Sequence, residues 1–129
     1  GIDQLTFVDP TDERASRPNQ IKQMMHDLKS MISEDSYRVP CFLNHQINRE
    51  GLAAAEKFGH LEMRHLAEGS EAERTADFVL SLYQNRESLM YGRALLQMLK
   101  GRRVAIKNWD ITWSLASGLA RIDREASLV

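Results

Sequence analysis

Cysteine is nearly absent from this chain: Cys41 is the only one in 129 residues. A lone thiol excludes an intrachain disulfide framework and fits a reducing compartment, so a cytoplasmic location is expected. No apolar run approaches the ~20 residues that would span a bilayer. The opening Gly1-Ile2-Asp3-Gln4 lacks the basic and apolar regions of a secretory signal. Excess positive charge is missing too. Lys and Arg number 17 against 18 Asp and Glu, a formal net charge of −1, so any nucleic-acid contact must be local. His26, His45, His60 and His65 include no His-Glu-x-x-His pair, which argues against a zinc site of that kind. None of the glycines Gly1, Gly51, Gly59, Gly69, Gly92, Gly101 and Gly118 is followed by Lys-Ser or Lys-Thr. The phosphate-cradling Gly-x-x-x-x-Gly-Lys-Ser/Thr loop is therefore absent.

The composition is that of a folded domain, with 43% hydrophobic and 27% charged residues. Leu5-Thr6-Phe7-Val8 is a short β-prone run halted at Asp9-Pro10, because proline has no N–H and restricts its predecessor. From Asn19 to Ser33, Ile21, Met24, Met25, Leu28, Met31 and Ile32 recur at helical spacing, with Asn19 as the expected N-cap. Val39-Pro40-Cys41-Phe42-Leu43 is continuously apolar and of strand length, as suits a strand covered on both faces. Residues 51–58 are Ala-rich and read as helix, and a short helix through Glu73 precedes the run Phe78 to Tyr83. Gln84 to Tyr91 reads as loop, and Ala94 to Leu99 fits strand or helix. Trp109, Ile111, Trp113 and Leu115 alternate with polar residues as a half-buried strand; Ala116-Ser117-Gly118 turns it back through Leu119 to Ile122. Strands alternating with helices predict an α/β fold, mainly a parallel sheet flanked by helices, with a C-terminal antiparallel hairpin. Ligands of such sheets lie beyond the carboxyl ends of the strands, which singles out Asp9, His45, Gln46, Lys100 and Arg102.

Four segments carry chemistry. Leu5-Thr6-Phe7-Val8-Asp9 has the form of a Walker B strand, which delivers a carboxylate to Mg²⁺ or its waters. Many parallel strands end in an acid, so alone this signal is weak. Arg38-Val39-Pro40-Cys41-Phe42-Leu43-Asn44-His45-Gln46-Ile47-Asn48-Arg49 runs an apolar strand into an amide. Such an amide beside a γ-phosphate senses nucleotide by exchanging hydrogen-bond partners on hydrolysis; otherwise it is a satisfied strand-end Gln. Leu66-Ala67-Glu68-Gly69-Ser70-Glu71-Ala72-Glu73-Arg74-Thr75-Ala76-Asp77 is an acidic loop and short helix whose Gly/Ser backbone N–H groups suit phosphate. Leu99-Lys100-Gly101-Arg102 ends a strand in two cations, either a solvated basic turn or a finger whose planar guanidinium stabilises phosphoryl charge. Cys41, mid-strand, reads as a small hydrophobe, and Trp109 and Trp113 read as hairpin core.

Together these segments resemble the DnaB-like replicative helicases, in the latter half of their RecA-type ATPase domain from Walker B onward. The match runs through Val39-Pro40, Gln46, Asn48 and Arg49, then Leu66, Glu68, Glu73, Ala76 and Asp77, then Lys100 and Arg102. Departures are His45 for Ser, Ile47 for Leu, Ala67 for an Arg, the reversed Gly69-Ser70, and Arg103-Val104 for Asn-Gly; the degeneracy suggests a phage-like relative. The resemblance implies a RecA-like domain of which residues 1–129 are the C-terminal half, with ATP and Mg²⁺ as cofactors of the complete protein. It further implies that Asp9 holds Mg²⁺, that Gln46 senses the γ-phosphate, and that Lys100 and Arg102 reach a neighbouring subunit's nucleotide. Arg49, Glu68, Gly69 and Ser70 would contact single-stranded DNA in a homo-oligomer, a hexameric ring, although loss of the family's Arg at Ala67 weakens the DNA assignment. The missing phosphate loop and the start without Met suggest a piece of a longer or split ATPase, inactive alone. An exposed sheet edge in such a piece would need covering. Two alternatives stay open: a catalytically inactive RecA-like assembly module, and a fragment of a KaiC- or RadA-type ATPase.

Overall fold

The computed structural model describes residues 13–33, 38–66, 70–114 and 116–127. The expected strand at 5–8 and its Asp9 lie outside the described residues. The chain divides into two compact units: Gly1–Asn48 with Leu66–Ala76, and Arg49–His65 with Asp77–Val129.

In the first unit, α1 (Arg17–Ser33) buries Ile21, Met24 and Met25, and Leu43 packs against them. Their three- and four-residue spacing sets them on one stripe of the helix. The helix starts earlier than Asn19: the Gln20 N–H donates to the Ser16 carbonyl at 2.9 Å, so Asn19 lies in the first turn and does not cap it. α3 (Ser70–Thr75) packs on α1, with His26 Nε2 3.9 Å from Glu71 Oε2. The expected strand at 39–43 is not formed. Only Leu43 and Ile47 are bridged, Ile47 antiparallel to Leu66. Arg38 has φ 44° and Phe42 is 74% exposed, so the run lacks both the extended entry and the two-sided burial of a central strand. Cys41 is only partly buried.

In the second unit, α2 (Arg49–Phe58) buries Gly51 and Ala55 and ends where Gly59, at φ 74°, donates its N–H to the Ala55 carbonyl at 2.8 Å. A left-handed glycine satisfies an orphan carbonyl of the last turn without a Cβ clash. A 3₁₀ turn at Met63–His65 packs against α2. The sheet consists of β1 (Phe78–Tyr83), β2 (Arg93–Gly101), β3 (Asn108–Ser114) and β4 (Leu119–Glu125), in the order β1-β2-β3-β4 with every pair antiparallel.

The parallel arrangement expected from the sequence is therefore incorrect for the described strands. A parallel pair needs a crossover of about a dozen residues or more, whereas these strands are joined by residues 84–92, 102–107 and 115–118. The C-terminal hairpin is as expected, although Trp109 and Trp113 are half-buried rather than core. Ala94–Leu99 resolves as strand because β2 pairs on both sides. The segment read as loop holds α4 (Arg86–Met90). Its Asn85 side chain accepts from the Ser88 N–H at 2.7 Å, and Ser88 Oγ accepts from the Asn85 N–H at 2.8 Å, a reciprocal capping box.

The two faces of this sheet differ. Ser81 and Gln97, paired in register, are buried on one face. Gln97 Oε1 accepts from the Leu61 N–H at 2.9 Å and from Ser81 Oγ at 3.3 Å, which ties the segment after α2 to the sheet. The opposite face carries Phe78, Leu80 and Leu82 of β1 and Ile122 of β4, all exposed.

Candidate functional site

The turn leaving β2 is the most built of the segments singled out by sequence. Val79 pairs with Lys100 but Leu80 with Met98, so Leu99 is an extra residue in β2. This bulge turns Lys100 to the face of Val79; uninterrupted alternation would have put it on the face of Leu80 and Met98. Bulges re-aim side chains in this way and recur beside functional sites. The register then sets Phe78 opposite Gly101, so the residues just beyond, Asp77 and Arg102, are brought side by side. Arg102 donates its backbone N–H to the Asp77 carbonyl at 2.8 Å, and its Nη1 lies 3.0 Å from Asp77 Oδ1. The two side chains are 50% and 45% exposed, hence within reach of an outside ligand.

Glycine at 101 leaves room for the side chains of Val104 and Met98. A Cβ there would stand 2.5 Å from Val104 Cγ2 and 2.8 Å from Met98 Sδ. Arg103, next but one, has φ 67°, a left-handed conformation that costs a non-glycine residue of order 1 kcal/mol. Such strain persists where the surroundings over-determine the backbone, and it concentrates at functional turns.

Lys100 and Arg102 thus share one turn, and Asp77 joins them. Arg49, also in the second unit, is the exposed first residue of α2. Gln46 belongs to the first unit and is exposed between Leu43 and Ile47, not at the end of a buried strand; His45, in the same stretch, is partly buried. Ser70 begins α3. Glu68 and Gly69, like Asp9, lie outside the described residues. Sequence reasoning missed two features: the Asp77–Arg102 pair, which depends on register, and the Gln97 node, which was visible as the one polar residue in Ala94–Leu99.

Strands β3 and β4 are joined by cross-strand polar pairs. Arg124 Nε lies 2.7 Å from Asp110 Oδ2, and Thr112 Oγ1 donates to Asp123 Oδ2 at 2.7 Å. The Thr112 hydrogen bond, then Arg121, hold the Asp123 carboxyl below its ordinary range. Burial, then the nearby Glu56 charge, push the Tyr83 phenol up. Among the described residues no three His, Cys, Asp or Glu side chains cluster to hold a metal, and no helix is long and apolar enough to cross a membrane. The cations of the 100–103 turn suit phosphate oxygens. The Mg²⁺ ligand inferred from the resemblance, Asp9, is not among the described residues.

No sequence-family pattern matches the chain, and no curated protein does. Solved structures do match, and they are ATPase domains of helicases of the DnaB-like class. One, "ATPase Domain of G40P", superposes with a TM-score of 0.78 at 26% identity, over 92% of this chain and 42% of that one. Another is a DnaB-like replicative helicase, described together with its interactions with primase; the TM-score is 0.75 at 24% identity, over 88% of this chain and 27% of that one. The chain therefore has the fold of part of a DnaB-like helicase ATPase domain, and spans less than half the length of either match.

Proposed function

We propose that this chain is the carboxy-terminal portion of the ATPase domain of an ATP-dependent replicative DNA helicase that works as a ring of identical subunits. The observation that carries this reading is the bulged turn presenting Lys100 and Arg102 in a fold shared with DnaB-like helicases. In the complete protein Lys100 and Arg102 meet the phosphates of ATP held by the adjacent subunit, and Gln46 reports on the γ-phosphate. Asp9 supplies the Mg²⁺ carboxylate. Arg49, Glu68, Gly69 and Ser70 are assigned to contacts with single-stranded DNA, so binding weakens as salt rises. ATP, when bound, supplies the phosphoryl-transfer chemistry; the residues named here position it and neutralise charge.

A second reading, an inactive assembly module, is favoured by one observation: no glycine in the chain is followed by Lys-Ser or Lys-Thr. The test is ATP hydrolysis by the native polypeptide that carries residues 1–129, with and without single-stranded DNA. Turnover stimulated by DNA supports the helicase. A protein that assembles but neither hydrolyses ATP nor responds to DNA is the module.

A further inference from the structure

We propose that Asp77 is a positioning residue for Arg102, holding its guanidinium by one edge so that the other edge receives an anionic phosphate group from outside the chain; this rests on the reading of Arg102 as a nucleotide-contacting cation. Asp77 immediately precedes β1, and Arg102 immediately follows β2. Because Phe78 pairs with Gly101, antiparallel register makes the two residues neighbours whatever their side chains. They are attached at two points: the Arg102 N–H to the Asp77 carbonyl at 2.8 Å and Nη1 to the carboxylate at 3.0 Å. The backbone contact fixes where the turn begins, and the carboxylate fixes where the guanidinium points.

An arginine on a bare turn loses much side-chain entropy when it grips a ligand. One already held through Nη1 has lost part of that freedom before the ligand arrives. Guanidinium carries five donors in a planar fork. Nη1 is the guanidinium nitrogen set against Asp77, and the remaining N–H groups of the planar fork form the edge that matches two oxygens of a phosphate. The half-exposure of both side chains keeps that edge accessible.

Positioning and simple electrostatics predict opposite signs, which makes the inference testable. If Asp77 were only a nearby negative charge, its removal would tighten anion binding. The experiment titrates inorganic tripolyphosphate into the 129-residue chain and follows the Arg102 Nε–Hε signal by ¹⁵N NMR, in the wild type, Asp77→Ala and Asp77→Asn. The expected result is an apparent Kd weakened about threefold in Asp77→Ala, the scale of one exposed charged contact. Asp77→Asn, which keeps an acceptor for Nη1, restores it. Unchanged or tighter binding in Asp77→Ala, with Arg102 responding normally in the wild type, overturns the positioning role and leaves the reading of Arg102 intact. No response of Arg102 to tripolyphosphate in the wild type overturns both.

Discussion

Gln97 is 1% exposed and is the largest fully buried side chain among the described residues, so Gln97→Leu is a sharp perturbation of the second unit. Leucine fills similar volume, so little cavity forms. Two donors lose their acceptor, the Leu61 N–H at 2.9 Å and Ser81 Oγ at 3.3 Å. A buried donor left unsatisfied costs about 1–3 kcal/mol. Ser81, 8% exposed, can recover part of its cost by rotating its hydroxyl toward water, whereas a backbone N–H cannot turn away. Added apolar burial offsets roughly 1 kcal/mol, which leaves a net loss of about 2 kcal/mol. Urea unfolding followed by Trp109 and Trp113 fluorescence reads this directly. With a slope of about 1–3 kcal/mol/M for a small protein, the midpoint falls by roughly 1 M at unchanged slope. An unmoved midpoint, or a stabilised variant, would refute the view that this amide fastens the segment after α2 to the sheet.

Other expectations follow from the same contacts. Gly101→Ala sets a Cβ against the side chains of Val104 and Met98; because Val104 is 47% exposed and can turn aside, the loss of stability stays at about 1 kcal/mol, the low end for overpacking, read from the thermal midpoint. The Asp123 carboxyl lies below its ordinary value of 3.8 chiefly through Thr112. Its stabilising contribution is present above the unfolded value and is lost as pH falls through the lowered folded one. Carboxyl ¹³C titration should show this acid midpoint, and Thr112→Val should move it upward; a midpoint indifferent to Thr112 contradicts the assignment. Isothermal calorimetry of the 129-residue chain should detect no micromolar ATP binding, since the Lys-Ser/Thr phosphate loop is absent from it and the exposed cations of the 100–103 turn alone hold phosphate only weakly; micromolar binding would refute that inference.

Much of the fold is legible where a pattern is local. Ile21, Met24 and Met25 mark α1 by spacing alone, and the alternation at Trp109, Ile111 and Trp113 with the turn at Gly118 marks the last hairpin. Strand direction departs from the expectation, and its cause is in the sequence: residues 84–92 are too few to carry β1 over into a parallel β2. The apolar composition of Val39–Leu43 suggested a buried strand because periodicity cannot show whether anything covers Phe42. Asn85 and Ser88 escaped notice because Ser replaces the usual Glu or Gln of a capping box. Of the candidate site, Lys100 and Arg102 stand out in the sequence by their motif. The bulge at Leu99 and the Asp77 partner do not, since both arise from cross-strand register, which no single segment encodes.

The measurement that bears most directly on function is the DNA-stimulated ATP turnover of the native polypeptide carrying Arg102→Ala. A finger acting on a neighbouring subunit's nucleotide predicts a fall of about 10³-fold or more, with single-stranded DNA affinity retained. Turnover at the wild-type rate would contradict the assignment of this turn to the nucleotide.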